Sequence, residues 1–151
     1  MHYRLDNLQE LLNDKEAAVA EEKVEKLRLL VERSHDNQEV VAEYADGLFN
    51  LLFKLYNALW KQEPYKINRL GEMFDDVMED TVEKLRLLVD CYPDNQELVK
   101  IYAEGLADLL LADITSQVEE TVEKLRLLVE CYQDNQEVIG PYARGMIRLV
   151  Y

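Results

Sequence analysis

Glycine, proline and cysteine are all scarce in this sequence, whose 151 residues include five glycines, three prolines and two cysteines. With so few residues that favour turns, the chain is expected to form long helices joined by short loops. Cys91 and Cys131 form no CxxC motif and have no histidine cluster near them, which argues against a metal site. Unpaired cysteines of this kind fit a reducing compartment, so we expect a cytoplasmic protein.

Long apolar runs are also missing, and basic residues are far fewer than acidic ones. No stretch approaches the roughly 18 apolar residues that a membrane-spanning helix needs, and the first 14 residues lack the basic and apolar regions of a signal peptide. The chain has 17 basic and 31 acidic residues, a net charge of −14. Because such a surface repels phosphates and anionic lipids, we expect neither nucleic acid nor a membrane as a partner, but a basic protein or peptide.

Internal repetition dominates what the sequence does contain. The segment VEKLRLLV occurs at residues 24–31, 82–89 and 122–129, and each copy is followed by DNQE at residues 36–39, 94–97 and 134–137. A third element, Y-A-x-G-[LM], then follows at residues 44–48, 102–106 and 142–146. Three elements in one order at fixed internal spacing indicate a repeat protein.

The spacing of the copies predicts how the repeats are built. Copies two and three lie 40 residues apart, and copies one and two 58 apart, so the first interval holds 18 extra residues, or about five helical turns. We expect this insertion to lengthen two helices of one hairpin, with its tip near residues 62–65. The prediction is one domain, divided into a partial repeat 1–34, the lengthened repeat 35–92, a repeat 93–132 and a half repeat 133–151.

Apolar residues in each segment recur at helical spacing. In copy two, Val82, Leu85, Val89 and Tyr92 form one stripe, and no segment alternates as a strand would. Each DNQE resembles a helix start, in which Asp36, Asp94 or Asp134 would cap the helix and the glutamate would complete a capping box. Leu87 and Leu127 lie beside the main stripe, where they are expected to contact a neighbouring repeat. The predicted fold is all-α, with about seven helices.

Several of these elements resemble the tetratricopeptide repeat family. Pro93-Asp94-Asn95 before a helix is similar to that family's turn between repeats, and Tyr44-Ala45, Tyr102-Ala103 and Tyr142-Ala143 resemble its large–small pair. The 40-residue period also leaves HEAT or armadillo stacking open, since those periods are about 40–47 residues rather than about 34. The resemblance implies a right-handed α-solenoid of antiparallel helix pairs that binds proteins in a concave groove lined by the first helix of each repeat.

Two groups of residues are candidates for partner binding. The groove would be lined by the polar faces of the first helices, namely Glu39, Glu43, Asp46 and Asn50 in copy one, Glu97, Lys100, Glu104 and Asp108 in copy two, and Arg144 and Arg148 in copy three. The lengthened hairpin carries Phe53, Tyr56, Trp60, Tyr65, Met73, Phe74 and Met78, of which Trp60 is the preferred interface anchor. The alternative is that the polar residues form a solvated face and that the aromatic residues form an ordinary core.

No arrangement of residues indicates catalysis or a cofactor. The sequence lacks a phosphate-binding loop, an HExxH motif and a nucleophile–histidine set, and the acidic run 75–80 lacks the spacing of a calcium loop. We therefore expect a non-enzymatic interaction scaffold with no cofactor. A peptide-sensing regulatory module and a helical subunit of a larger complex remain alternatives. The apolar C-terminal residues, Met146, Ile147, Leu149, Val150 and Tyr151, predict self-association through the last helix.

Overall fold

The computed structural model describes residues 9–112, 114 and 117–150, and for residues 148–150 the backbone alone. The regular secondary structure in this part of the chain is all helical, and it contains no strand. The helices are α1 (Gln9–Leu12), α2 (Lys15–Arg33), α3 (Gln38–Trp60), α4 (Pro64–Cys91), α5 (Gln96–Leu111), α6 (Val118–Cys131) and α7 (Gln136–Val150). The all-α prediction is therefore confirmed for the described residues. None of these helices is long and apolar enough to cross a lipid bilayer.

The chain divides into two compact units, residues 1–88 and residues 89–151, and helix α4 crosses the division. Each repeated VEKLRLLV segment lies in an even-numbered helix, α2, α4 or α6, and each Y-A-x-G-[LM] segment lies in the helix that follows it. Short turns at residues 34–37, 92–95 and 132–135 join each of these even-numbered helices to the helix that follows it.

The 18-residue insertion lengthens α3 and α4, as the whole-turn spacing predicts. Helix α3 has 23 residues against 16 in α5, and α4 has 28 against 14 in α6. The turn between α3 and α4 comprises residues 61–63, and Pro64 is the first residue of α4. Proline suits that position because its fixed φ is helical and its missing N–H would have no partner within the helix.

The helix caps differ from the prediction by one residue. The side chain of Asn37 accepts a hydrogen bond from the Val40 amide at 3.2 Å, and Asn95 accepts one from the Leu98 amide at 3.1 Å. Asn135 likewise accepts from the Glu137 amide at 2.9 Å. The prediction that Asp36, Asp94 and Asp134 cap these helices is therefore wrong. An asparagine is as good a cap as an aspartate, and here it is the residue placed to reach the amides.

The first unit is built on contacts among α1, α2 and α3. Leu11 of α1, Ala17 and Val24 of α2 and Leu55 of α3 belong to its core. Gly47 lets α3 approach α2 closely, because a Cβ atom there would lie 3.2 Å from Cδ1 of Leu27. Contacts also join the beginning of α3 to the end of α4, through Tyr44 and Lys84, and the end of α3 to the middle of α4, through Tyr56 and Phe74.

The second unit is built on α5, α6 and α7, each of which contacts the other two. Gly145 marks the closest approach, since a Cβ atom there would lie 2.9 Å from Cδ1 of Leu125 and 3.2 Å from Cδ1 of Leu110. At the turns, the Tyr132 hydroxyl donates to the Pro93 carbonyl at 3.0 Å, and Nδ2 of Asn135 donates to Oε1 of Gln96 at 2.7 Å. The turn at residues 132–135 is thus hydrogen-bonded directly to the segment at residues 93–96.

The position occupied by Leu87 and Leu127 lies outside the core. Both residues are exposed, as is the equivalent Leu29 of α2. Neither residue is part of the core, and their contact with a neighbouring repeat stays a prediction. On the same helices, the buried positions are those of Leu27, Leu85 and Leu125.

Candidate binding surfaces

A continuous polar stripe runs along α3. Glu39, Glu43, Asp46 and Asn50 are all exposed, and their spacing of three to four residues places them on one face of the helix. Asn57 continues this face, and Trp60 lies at its edge at the end of the helix. We call the set Glu39, Glu43, Asp46 and Asn50 the α3 acidic stripe.

The corresponding residues of the second unit are less uniform. Glu97 and Asp108 are exposed on α5, whereas Lys100 and Glu104 are half-buried. The Nζ atom of Lys100 lies 3.9 Å from Oε1 of Glu137 on α7, so this cation already has an acidic partner. Arg144 is exposed on α7, and the side chain of Arg148 lies outside the described residues.

The aromatic and methionine residues of the insertion fall into two groups. Phe74 and Met78 are buried, and Phe53, Tyr56 and Met73 are half-buried. Trp60 and Tyr65, by contrast, are 59% and 75% exposed on the two sides of the 61–63 turn. The Tyr56 ring meets the Trp60 ring edge-on at 6.0 Å. The indole is therefore held by one aromatic neighbour while most of its surface stays in solvent.

Ion pairs surround this turn. Four basic residues of α3, the turn and α4 face three acidic residues of the α1–α2 region. The pairs are Lys54–Glu16 at 3.4 Å, Lys61–Asp14 at 2.9 Å, Lys66–Glu10 at 3.4 Å and Arg69–Glu10 at 2.9 Å. The lengthened helices are thus held by the chain's own N-terminal acids.

Asp14 has two roles in this network. Its side chain accepts hydrogen bonds from the amides of Glu16 and Ala17, at 3.1 and 3.2 Å, and so caps α2. The hydrogen bond from Lys61 and these amide bonds lower the pKa of Asp14. The pKa of Glu10 is lowered by Arg69 and then by Lys66.

Tyr44 lies in a second charged cluster, between α2 and α4. The Nζ atom of Lys84 lies 5.6 Å from the Tyr44 ring centre, within the range of a cation–π contact. Arg28 of α2 pairs with Glu25 and Glu32, and the three charges act on Tyr44 and on Lys84. Burial raises the pKa of Tyr44 to about 12 and lowers the pKa of Lys84.

Helix α7 presents apolar residues at positions that are buried elsewhere. Ile139 is 42% exposed, and Ala143, Met146 and Ile147 are exposed beside it. We call these four residues the α7 outer face. Their equivalents in α5, which are Val99, Ala103, Leu106 and Ala107, are completely buried, as are Val41, Ala45 and Leu48 in α3.

Other features have no clear binding chemistry. Cys91 and Cys131 are free and exposed, and no group of described residues could hold a metal ion. In the acidic run, burial and then Glu79, Asp76 and Glu72 raise the pKa of Asp75. A hollow of about 400 Å³ at the α6–α7 turn is open and lined by polar residues.

Comparisons with known proteins return no relative. No protein-family model matches the chain, and neither curated proteins nor solved structures give a match.

Two features of these surfaces were not predicted from the sequence. The basic residues around the 61–63 turn are unusual in a chain of this charge, and that concentration was a usable signal for the ion pairs. Ile139 aligns with Val99 and Val41, which are both buried. This alignment of the repeats was a usable signal for the apolar face that stays uncovered on α7.

Proposed function

We propose that this protein is a non-enzymatic scaffold that binds a basic segment of a partner protein along α3. The observation that carries the proposal is the α3 acidic stripe, which leads along one helix to the exposed Trp60. From Glu39 to Trp60 the helix rises about 32 Å. A partner segment of that length would meet carboxylates first and an aromatic anchor last.

The composition of this surface suits protein recognition. Tryptophan and tyrosine are enriched among the residues that dominate binding energy, particularly when a polar rim surrounds them. Trp60 and Tyr65 have such a rim in the paired residues Lys61, Lys66 and Glu10. The unpaired negative charge of the stripe attracts cationic partners and speeds their association at low salt.

The proposed architecture is a right-handed solenoid of antiparallel helix pairs, similar to tetratricopeptide repeats. The repeated order of the three sequence elements and the contacts of Tyr44 with Lys84 and of Tyr56 with Phe74 support it. We also propose a cytoplasmic location, because a reducing compartment keeps exposed thiols such as Cys91 free.

Selection of displayed peptides on the intact chain tests the proposal. We expect the selected peptides to be basic and to carry an aromatic or large aliphatic residue. Trp60 is the chain's only tryptophan, so binding should shift its fluorescence emission to shorter wavelength. The Glu43→Lys/Asp46→Lys and Trp60→Ala variants should each bind at least about tenfold more weakly, which corresponds to about 1.4 kcal/mol.

Glu22→Lys/Glu119→Lys is the matched control. It makes the same change in net charge at exposed residues of α2 and α6, which do not belong to the α3 acidic stripe. It should retain affinity for the selected peptides apart from a small effect of net charge. Equal losses of affinity in both double variants would show that only the overall charge matters, which would count against the α3 acidic stripe. Unchanged affinity in the Trp60→Ala and Glu43→Lys/Asp46→Lys variants would overturn the proposal.

A further inference from the structure

The exposed face of α3 changes its chemistry along the helix. The first three residues of the α3 acidic stripe carry carboxylates, and from Asn50 to the end of the helix amides and aromatic rings take their place. Asn50 and Asn57 lie exposed on this face. Phe53, which is half-buried, and Trp60, which is exposed, follow its edge. We call Asn50, Phe53, Asn57 and Trp60 the amide–aromatic set.

The members of this set recur at a fixed interval. The two amides are seven residues apart, as are the two aromatic rings, and seven residues span about 10.5 Å along a helix. Each ring follows its amide by three residues, or about 4.5 Å. A partner that contacts all four side chains must therefore present the same kind of group twice, at about the same interval.

The two amides are available to a partner. Neither Asn50 nor Asn57 forms a hydrogen bond with any residue that the structure describes, and each side chain offers two N–H donors and one carbonyl acceptor. A partner that covered these groups without bonding them would leave buried polar atoms unsatisfied, which is costly. The backbone of an α-helix is bonded internally, so an extended segment, whose carbonyls are free, is the better match.

The interval distinguishes between extended conformations. A β-strand presents same-side residues about 6.6 Å apart, and the spacing of the amides and of the rings falls between one and two such steps. A polyproline II helix has three residues per turn and repeats about every 9.3 Å, with its backbone carbonyls exposed. That repeat differs from the spacing of the amides and of the rings by only about 1.2 Å. Proline-rich segments in this conformation also dock on aromatic side chains.

We propose that the basic segment that binds along α3 is rich in proline and adopts the polyproline II conformation, which presupposes the binding function proposed above. Two of its prolines, three residues apart in the segment, pack against Phe53 and Trp60. Carbonyls of the same stretch accept hydrogen bonds from Asn50 and Asn57. Arginine or lysine residues at one end of the segment pair with the carboxylates of the α3 acidic stripe, which form no ion pair with any described residue.

Titration of the intact chain with synthetic peptides tests this proposal. One peptide joins an arginine-rich half to the pattern PPLPPL, and a second peptide has alanine at each proline, so the two have the same charge. Each is made with its halves in either order, and the tighter order is compared. The proline peptide should bind at least about tenfold more tightly, because alanine lacks the ring that packs against the aromatic residues and has to be ordered into the bound conformation.

The variant Asn57→Ala tests the amides separately. It should bind the proline peptide about fivefold more weakly, through the loss of one hydrogen bond, and it should bind the alanine peptide with unchanged affinity. Asn68→Ala is the matched control, because it makes the same change at an exposed residue of α4, and it should bind both peptides as the original chain does. Both positions are exposed, so circular dichroism should show unchanged helix content.

The outcomes separate this proposal from the binding function on which it rests. Equal affinities of the original chain for the two peptides would overturn the proposal but leave the binding function of α3 in place. An Asn57→Ala variant that binds the proline peptide as tightly as the original chain does, or that loses the same affinity for both peptides, would also overturn it. Binding of neither peptide would count against the binding function as well, and this proposal would fall with it.

Discussion

Lys84 holds its ammonium group 5.6 Å from the centre of the buried Tyr44 ring, and this contact joins α4 to α3. The pair combines a costly feature with a favourable one. Burial lowers the pKa of Lys84, since the charged form loses hydration, while the cation lies over the ring within the range of a cation–π contact. The same lysine of the repeat, Lys26 in α2, is exposed.

Replacing these two lysines should give different results. Lys84→Ala is expected to lower the free energy of unfolding by about 1 kcal/mol, because the stem and the cation–π contact are both lost. Lys26→Ala should change it by less than about 0.5 kcal/mol, as for most exposed residues. Urea unfolding at a concentration where the chain is monomeric measures both. Equal effects would show that the Tyr44 contact contributes nothing to stability.

Tyr44 should make the protein sensitive to alkali. Its pKa is raised from 10.0 to about 12 in the folded chain, so the folded state holds the proton more tightly than the unfolded state does. Stability from this group is present below pH 10 and is lost as the pH rises from 10 to about 12. The Tyr44→Phe variant should lose less stability over that interval. Thermal unfolding at a series of alkaline pH values would reveal the difference, and parallel curves would contradict it.

Gly145 should tolerate no side chain. In Gly145→Ala the new Cβ would lie 2.9 Å from Cδ1 of Leu125, which is fully buried and has little room to move. We expect a loss of about 1–3 kcal/mol, as for other overpacked cores. Gly71→Ala is the control, since nothing lies within 4 Å of its Cβ position in α4. That variant should gain about 0.5–1 kcal/mol from helix propensity, and denaturant unfolding would compare the two.

The position of the helix cap predicts different effects on stability for two neighbouring residues of the DNQE motif. Asn95→Ala should cost about 1 kcal/mol, because the Leu98 amide loses its acceptor. Asp94→Ala should change stability by less than about 0.5 kcal/mol, since this exposed residue is not the cap of α5. The two unfolding curves check the assignment. A larger loss of stability in Asp94→Ala than in Asn95→Ala would show that the aspartate caps α5.

Acid should weaken the ion pair between Asp14 and Lys61. The pKa of Asp14 is lowered in the folded chain from its ordinary value of 3.8. The contribution of the Asp14 carboxylate to stability is therefore present above pH 3.8 and is lost as the pH falls through the lowered pKa. Asp14→Asn keeps a capping oxygen but removes the charge, so it should be less stable than the original chain at pH 7. The difference in melting temperature should then shrink toward zero in acid. A difference that stayed constant with pH would argue against the charge effect.

Periodic patterns in the sequence predicted most of the helices. The three VEKLRLLV copies, the 40-residue spacing and the whole-turn insertion are local or repetitive features, and the helices follow them to within a few residues. The residue that caps each helix could not be predicted from the sequence, because Asp94 and Asn95 have similar capping preferences and only backbone geometry chooses between them. Leu87 posed a similar difficulty, since its position beside the apolar stripe is compatible with either burial or exposure.

The sequence alone determined that this chain is acidic, helical and repetitive, because charge, composition and period are properties of the residues in order. Tertiary structure decided which copies of a repeated residue are covered. Val99 and Ile139 have the same place in the repeat and similar chemistry, yet one is buried and the other exposed. Their difference arises from the neighbouring helices, since solvent is excluded by a second surface and not by the residue itself.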